Sequence, residues 1–411
     1  MKKIIALIVS SLIFINSIFA FNFFTSRFLE LKVDVPIGLS NNVFAVGDFM
    51  KKDLVIDFTQ IADSIPKSGF STVIRTNPNV SLKLNIAGFS LGVNAGADVF
   101  TKLNIGKGLF DFLLKGYKAG ETITVDVPNP VLDTFVYAEV PIGLKLKKFS
   151  LTVSPSLFYP VAILDDSKIV ATAKNSTDGD VSADVNVDAN LYTTSMVGSM
   201  LKQIDQTYSG PESDINSLIK NMGFDIGANF RLPLTKRLAV SIDGRFPIIP
   251  AKLDAKMNVK ATYSVTGNIM DMAMEGKQFD QKPFDYSITA TPLDEYYQIS
   301  RPLKLSGYFD YNLFGFLKVK AGGGFAVRRI GSDNPLAYPE YYAAGTLSLF
   351  EMITATLSTE YTDLLFRHQF EAVVNLRFVE LDIGLSLEAS NFARSFEVGG
   401  FGAHVGVLVG L

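Results

Sequence analysis

The sequence has no cysteine, no tryptophan and only two histidines, His368 and His404, in 411 residues. Without cysteine there can be no disulfides, no thiolate chemistry and no lipid-modified cysteine of a lipoprotein. No nucleophile or acid stands in a recognisable relation to either histidine, as a histidine-based catalytic site would require. We therefore expect no enzyme activity, no cofactor, and no catalytic or metal-binding residues.

The chain also lacks a block of like charge and, after residue 20, a long apolar run. Its formal net charge is only −3, without a basic cluster, so nucleic acid is not an expected partner. A helical membrane protein needs apolar stretches of about 18 residues or more. Since 48% of the residues are hydrophobic, these residues must be dispersed along the chain rather than collected in spanning helices.

The N-terminus has the three-part order of a secretory signal. Lys2 and Lys3 precede an apolar stretch at 4–18, and Ala20 supplies a small residue for cleavage. We expect residues 1–20 to be removed and residues 21–411 to form one exported unit. A retained N-terminal helix is the alternative, but the run is short for a membrane span, which needs about 20 residues.

Apolar and polar residues alternate through most of the remaining chain, which is typical of strands with two different faces. In residues 29–37, for example, Leu, Val and Ile occupy every second position. We predict fourteen strands, near 28–38, 70–86, 88–103, 131–147, 148–164, 223–234, 237–250, 301–311, 315–329, 342–350, 351–361, 367–378, 379–390 and 397–411. Most are about 10 residues or longer, as tilted membrane strands are.

The connections are sorted by length. Those after the even-numbered strands are short, whereas most of those after the odd-numbered strands are long, with 39–69, 104–130, 165–222 and 251–300 the longest. Outer-membrane barrels have short periplasmic turns and long extracellular loops. The sequence therefore predicts an all-β fold, a closed antiparallel transmembrane β-barrel in the bacterial outer membrane, with both termini periplasmic. A soluble exported β-protein is the weaker alternative.

The apolar faces of the strands should contact lipid, because a charge there costs about 2–4 kcal/mol near the midplane. The opposite faces carry cations and anions in equal numbers, which favours paired charges, weak ion selectivity and a narrow or plugged lumen. We expect Arg367 to pair with Glu388, and Arg377 with Glu380. The candidate lumen-lining residues are Lys32, Lys83, Asp98, Glu139, Arg231, Asp243, Arg245, Lys318, Lys320, Arg367, Glu371, Arg377, Asp382, Glu388 and His404.

The first long loop contains a candidate plug. Asp57 is a plausible N-cap for a short helix through Ile65, ended by Pro66, with Phe58, Ile61 and Ile65 on one face. This segment either folds into the lumen or caps the outer rim. Further short helices are predicted at 106–116, 193–205 and 212–221.

Two other motifs have competing interpretations. Asp178, Asp180, Asp184 and Asp188 could offer oxygen ligands to Ca²⁺, but Asp180–Asp188 also alternates as a solvated hairpin strand would. Gly322–Gly324 lies inside a strand pattern, which favours a bend or a close approach over a phosphate loop. Interfacial aromatic residues are expected among Phe158, Tyr159, Tyr308, Tyr311 and Tyr361.

Several short motifs follow one another in a recognisable order: VDVPIGLSNNVFAVGDF, IDFTQIADSIPKSGF, NPNVSLKLNI, GLFDFLLKGYKAGE and VSADVNVDANLYT. This order resembles an uncharacterised family of predicted bacterial outer-membrane proteins, distantly similar to the long-chain fatty-acid transporter barrels. The resemblance spans most of the chain after the signal and implies a fourteen-stranded barrel with no established activity. Those transporters begin with an N-terminal hatch, whereas only about seven residues precede the first strand here, so no binding residues are carried over.

Three functions remain open at the level of sequence. The first is a passive channel or transporter for small or hydrophobic solutes, and the second a structural or surface-display barrel with no transport. The third is the soluble exported protein. The expected partners are outer-membrane lipid and a small or hydrophobic solute. The sequence does not fix the oligomeric state.

Overall fold

The computed structural model describes residues 27–43, 62–67, 69–108, 110–111, 120–127, 130–195, 197, 219–268, 271, 280–281, 284–332, 335–350, 352–396 and 399–411. The predicted signal at 1–20 lies outside the described residues, as do Phe58 and Ile61. Helical residues occur at 62–64, 107–108, 110–111, 195, 197 and 219–221, within or beside the predicted short helices, and also at 271 and 392–395. No helix in the described ranges is long and apolar enough to cross a membrane.

Fourteen wall strands form a closed antiparallel barrel, as the alternation predicts. Two wall strands are each interrupted once. The wall consists, in order, of β1 (Leu29–Asn41), β2 (Phe70–Thr76) with β3 (Asn79–Ile86), β4 (Phe89–Ile105), β6 (Val131–Glu139) with β7 (Ile142–Lys145), β8 (Ser150–Leu164), β11 (Gly223–Pro233), β12 (Leu238–Ile249), β16 (Leu303–Phe314), β17 (Leu317–Arg328), β18 (Leu336–Leu349), β19 (Ile353–Thr362), β20 (Leu365–Asn375), β21 (Val379–Ala389) and β22 (Gly400–Gly410). Pairing of β1 with β22, from Glu30 opposite Gly410 to Ser40 opposite Gly400, closes the ring.

Proline and turn chemistry explain the interruptions and one of the hairpins. Pro78 separates β2 from β3, and Pro141 separates β6 from β7, because proline has no N–H to give to the ladder. Ala87 (φ 46°) and Gly88 (φ 91°) make the two-residue turn into β4, where positive φ at both positions matches the strand twist. β18 starts at Leu336, earlier than the predicted 342, and runs through Pro339 opposite Phe325.

The outward face is apolar, as predicted. On β1, Leu31, Val33, Val35, Ile37 and Leu39 are 41–53% exposed, and on β21 Leu385 is 65% exposed. Their neighbours Asp382, Ser386 and Glu388 on β21 are buried inside the barrel. A ring of exposed aliphatic side chains around a charged interior is the surface that lipid contacts in an outer-membrane barrel.

In their described residues, the two longest predicted loops, 165–222 and 251–300, contain strands and not only loop backbone. β13 (Ala251–Asn268) and β15 (Asp285–Ile299) extend the β12 and β16 hairpin beyond the wall. Three strands continue the sheet from β13: first β10 (Asp180–Thr193), then β9 (Lys168–Asn175), then β5 (Thr122–Val127). The short β14 (Asp280–Gln281) pairs with the C-terminal part of β13. The period-2 pattern in these loops therefore reflects a sheet that extends beyond the barrel wall on the long-loop side.

Three of the five aromatic residues predicted for the membrane interface do not lie on the outward face. Phe158 and Tyr159 are buried, and Tyr308 lines the lumen cavity described below. Tyr361 stacks on Tyr341, with ring centroids 5.2 Å apart, beside Phe366. Near these rings the helix α1 (Phe392–Ser395) begins at Asn391, whose side chain accepts a hydrogen bond from the Ala393 N–H, and it contributes Phe392 to the same aromatic group.

Candidate functional site: the barrel lumen

The lumen is crossed by ion pairs. Arg328 on β17 is 3% exposed; its guanidinium lies 2.9 Å from Asp363 and 3.9 Å from Asp98 on β4. The same guanidinium lies over the Phe100 ring, 4.2 Å from its centroid. Five wall strands separate β4 from β17 around one side of the ring and seven around the other. These contacts therefore span the interior rather than follow the wall.

Asp363 is the acceptor at the centre of this group. It lies in the two-residue turn between β19 and β20, with φ 51°, and accepts a hydrogen bond of 2.6 Å from the Tyr338 hydroxyl. Burial by itself raises the pKa of Asp363, but Lys304, Arg328 and Arg75, with the Tyr338 hydroxyl, hold it well below the usual value. The surrounding cations therefore favour the ionised carboxylate.

A second set of contacts joins β2 to β19, β20 and β21. Arg75 lies 3.4 Å from Glu388 and 3.9 Å from Glu360, and Arg367 lies 2.8 Å and 3.0 Å from the same two carboxylates. The predicted pairing of Arg367 with Glu388 is confirmed. Glu388 is completely buried.

Lys304 completes the network from β16. Its ammonium lies 3.0 Å from Glu340 and 3.6 Å from Asp363, and Glu340 also accepts a hydrogen bond from Thr362. We call this network of cross-lumen contacts the constriction; its charged members are Arg75, Asp98, Lys304, Arg328, Glu340, Glu360, Asp363, Arg367 and Glu388.

A separate buried cluster lies beside the constriction. Arg301, directly before β16, is fully buried, 3.2 Å from Asp225 and 3.3 Å from Glu139. Its guanidinium also lies 4.0 Å from the centroid of the Tyr137 ring. Arg245 approaches Glu139 at 3.7 Å. Charges buried this deeply persist only when they are paired.

A cavity of about 540 Å³ lies between the two clusters. Its lining includes the predicted lumen residues Asp98, Glu139, Asp243, Arg245 and Arg367. Asn229 donates a hydrogen bond to Asp243 at its wall. The lumen thus keeps an internal polar space within a network of paired charges.

The lumen also has space at its short-turn end. A space of about 770 Å³ is lined there by Glu30, Lys83, Lys145 and Thr152. Arg27 closes part of its edge: it binds the Asn375 side chain at 2.7 Å and Glu380 at 3.2 Å. For Glu380 the structure thus shows a partner other than the predicted Arg377, whose guanidinium lies 5.3 Å from the Phe378 ring centroid.

The remaining predicted lumen residues are placed as follows. Lys83 lies 3.9 Å from Glu30, and the exposed Arg231 lies 3.6 Å from Asp310. Lys320 sits over the Tyr308 ring, 4.1 Å from its centroid, while Lys318 is exposed near the β16–β17 turn. Gly322 allows this arrangement, because a Cβ there would lie 2.6 Å from Tyr308 Cδ1. The close neighbour of the glycine run is thus a ring of the adjacent wall strand, since Tyr308 is paired with Gly322.

His404 has partners that the sequence did not indicate. Its Nε2 contacts Asp34 on β1, and its Nδ1 lies 3.6 Å from Asp382 on β21. Lys32 approaches the same two carboxylates at 3.6 Å and 3.9 Å. Glu371, one strand further along the wall, accepts a hydrogen bond of 3.1 Å from Gln369.

Only part of the predicted plug is described. Ile65 and Ala62 are buried, and Lys107 donates a hydrogen bond of 2.5 Å to the Ala62 carbonyl. At the start of the same loop, Arg394 donates to the Val43 carbonyl. Phe58 and Ile61 lie outside the described residues, so the plug stays a prediction.

The aspartates proposed for Ca²⁺ stand along a paired strand. Asp180, Asp184 and Asp188 on β10 accept hydrogen bonds of 2.6–2.7 Å from Asn268, Ser264 and Asn258 on β13. Among the described residues, only Asp34, Asp382 and His404 form a group with the spacing of metal ligands. The hairpin interpretation of this segment is confirmed.

Sequence analysis missed four buried charged residues: Arg75, Arg301, Asp363 and Arg329. Arg75 has the inward parity of its strand and could have been found by extending the alternation back through Pro78. Arg301 has the outward parity of β16, but it precedes the strand and turns inward. Asp363 and Arg329 lie in turns, where periodicity carries no signal; Arg329 binds Asp133 at 2.8 Å and Asp165 at 3.1 Å.

A closed fourteen-stranded barrel with an apolar outer surface and a charged lumen defines an outer-membrane β-barrel. No family model and no curated protein matches the sequence. Among solved structures, the chain is similar to the P. putida toluene transporter TodX (6% identity, TM-score 0.45, covering 95% of this chain and 92% of that one). It is also similar to the Ralstonia pickettii toluene transporter TbuX (8%, 0.40, 94% and 89%) and the CymD monoaromatic hydrocarbon channel (10%, 0.42, 96% and 92%). Our fold assignment rests on the strand pairing itself.

Proposed function

We propose that this protein is a passive channel or transporter of the bacterial outer membrane, for small or hydrophobic solutes, and that its lumen is narrow at rest. The observation that carries the proposal is the constriction. Its ion pairs cross the barrel interior, while an internal cavity and a second space at the short-turn end are retained.

Side chains are a reversible barrier. Arg328 reaches across the lumen on a flexible stem, and its contacts to Asp98 and Asp363 can be exchanged without breaking the strand ladder. A fourteen-stranded barrel is wide enough to enclose a passage once such side chains move. The cations and anions of the constriction are paired, so no ring of one sign is present among them to select strongly for an ion.

The surroundings of the constriction suit a solute with an apolar part. Val73, Phe100 and Leu365 form a buried apolar cluster there, and Phe100 lies directly under Arg328. Displacement of Arg328 would uncover this ring beside the polar cavity. A small neutral molecule, polar or apolar, fits such a path better than a multivalent ion does.

Planar-bilayer conductance and vesicle uptake test the proposal. The refolded chain should show low conductance with weak ion selectivity, and vesicles containing it should take up arabinose or toluene faster than vesicles without protein. A large, strongly cation- or anion-selective current contradicts a resting closed lumen. If neither probe enters, even with Arg328→Ala, the barrel is structural or for surface display.

The plug is tested by deleting residues 43–66, which should increase conductance if that segment blocks the lumen.

Export and membrane insertion are tested together. The mature chain should begin after Ala20, require detergent to stay monomeric and migrate differently on gels before and after heating. A chain that stays monomeric without detergent contradicts the membrane assignment.

A further inference from the structure

The group formed by Lys32, Asp34, Asp382 and His404 lies in the middle of the barrel wall, on the lumen side. The strands place it there through register: Asp34 and Asp382 both face Gly406 on β22, two residues beyond His404. Gly406 and Gly384 have no side chains, and this leaves room around the imidazole. A Cβ at Gly384 would lie 3.5 Å from His404 Nδ1.

The two nitrogens of His404 are in different situations. Nε2 contacts the Asp34 carboxylate, which only accepts hydrogen bonds, so Nε2 is the donor of this contact. Whenever the ring is neutral, Nδ1 presents a lone pair. It is buried without a hydrogen-bond partner, and so is Oδ1 of Asp382, which it faces. Asp382 is 93% buried, since only 7% of its surface is exposed.

The distance between these two orphaned atoms is informative. Nδ1 of His404 and Oδ1 of Asp382 are 3.6 Å apart, beyond the usual hydrogen-bond range of about 2.7–3.2 Å. Zinc binds histidine nitrogen and carboxylate oxygen at about 2.0–2.2 Å, so two ligands on one tetrahedral ion are roughly 3.3–3.6 Å apart. The gap therefore has the size of one edge of a zinc coordination shell.

We propose that His404 Nδ1 and Asp382 Oδ1 bind a divalent transition-metal ion of the zinc type inside the lumen, with water completing its coordination. Asp34 orients the ring from the other nitrogen, the arrangement in which a ligating histidine donates its second N–H to a carboxylate. Imidazole selects for zinc-like ions over Ca²⁺ and Mg²⁺, which prefer oxygen ligands alone. The inference does not depend on passage of solutes through the barrel.

Lys32 is the competing cation. Its ammonium lies 3.9 Å from Asp382 Oδ2 and 3.6 Å from Asp34, and its side chain is 35% exposed. It balances the carboxylates when no metal is bound and can swing into the lumen when one arrives. Removal of this charge should therefore tighten metal binding, an effect that a purely structural salt bridge would not produce.

The test is a calorimetric titration of Zn²⁺ into the refolded, tag-free chain in detergent. The chain has no cysteine and one other histidine, so background sites are few. We expect one Zn²⁺ per chain. Co²⁺ in place of Zn²⁺ should give visible absorption bands that disappear when Zn²⁺ is added.

Four variants assign the site. His404→Ala and Asp382→Asn should each weaken Zn²⁺ binding at least tenfold, and Asp34→Asn about 10–100-fold, the usual cost of losing an orienting partner. Lys32→Met should tighten binding several-fold. His368→Ala, which removes the histidine beside Ser395 and Phe396, is the matched control and should bind as the wild type does.

Heat-modifiable gel migration shows which variants assemble. If His404→Ala does not assemble, Asp382→Asn and Lys32→Met decide the question by their opposite effects. The proposal is overturned if the wild type binds no Zn²⁺, if His404→Ala and His368→Ala bind equally well, or if Lys32→Met binds no more tightly than the wild type.

Discussion

Arg328 and Asp98 lie on opposite walls of the barrel, on β17 and β4, yet their charged groups are 3.9 Å apart. Arg328 is held in that position by Asp363 at 2.9 Å and by the face of Phe100. This contact shows that side chains from opposite walls meet inside the lumen at the level of the constriction. It also makes Arg328 the side chain whose removal should change the lumen most.

Arg328→Ala should raise conductance and lower stability. The substitution removes the ion-pair partner of Asp98 and the nearest of the three cations around Asp363, and breaking a buried pair in this way costs roughly 3–5 kcal/mol. Denaturant unfolding in detergent and single-channel recording measure the two effects. Arg231→Ala is the control: Arg231 is half exposed, 3.6 Å from Asp310, and should cost about 1 kcal/mol or less. Equal effects at both positions contradict the assignment.

Gly38→Ala should loosen the constriction by displacing the Glu388 carboxylate. A Cβ at Gly38 would lie 2.6 Å from Glu388 Oε2, so the carboxylate must move away from Arg75 and Arg367. We expect a loss of about 1–3 kcal/mol, as for other overpacked sites, together with higher conductance. Gly345→Ala is the control, since nothing lies within 4 Å of a Cβ at that position. Unchanged conductance in Gly38→Ala would show that Glu388 does not hold the constriction closed.

Leu385→Arg should block membrane assembly, and Val374→Arg should weaken it. Both side chains are on the outward face, 65% and 39% exposed. Leu385 lies in the middle of β21, where an arginine costs about 2–4 kcal/mol, whereas Val374 is one residue from the end of β20, where the cost is smaller. Glu371→Ala, on the inward face of the same region, should still assemble. Protease protection in vesicles and heat-modifiable migration report assembly. If all three variants assemble equally, the face assignment is wrong.

The ion pairs of Asp363 should be insensitive to moderate acid. The pKa of Asp363 in the folded chain lies well below that of an unfolded aspartate, about 3.9. Its stabilising contribution is therefore fully present above that value, and it is lost only as pH falls through the folded-state pKa. Stability and conductance should change little through Asp363 between pH 7 and pH 5.

Asp363→Asn should lower stability at pH 7, because Arg328 and Lys304 lose a carboxylate, and it should reduce the further loss of stability below about pH 4. Unfolding of the wild type and the variant at pH 7, 5 and 3 measures this difference. A wild type that opens or unfolds at pH 5 while Asp363→Asn does not would contradict the assignment of a low pKa.

The number of strands, and the side of the wall on which each residue lies, could be derived from sequence because membrane strands obey a local rule. Each residue of β1 or β21 faces lipid or lumen according to its parity, and the cost of a charge in lipid enforces that parity. The same rule assigned Asp98, Arg367 and Glu388 to the interior. Phe158 also has inward parity in β8 and is buried; its interfacial assignment rested on aromatic character instead and was wrong. Parity itself failed for Arg301, which stands before its strand.

By itself, the sequence determined a closed barrel with an apolar outside and balanced charges within, since period and composition are properties of neighbouring residues. Only the tertiary structure decided which charges meet. Arg328 with Asp98, Arg75 with Glu388 and His404 with Asp34 are each brought together by barrel closure. The pairing depends on the registers and curvature of many strands at once, and no local pattern carries that information. For the same reason, the turn residue Asp363 became the centre of the constriction only once the walls had closed around it.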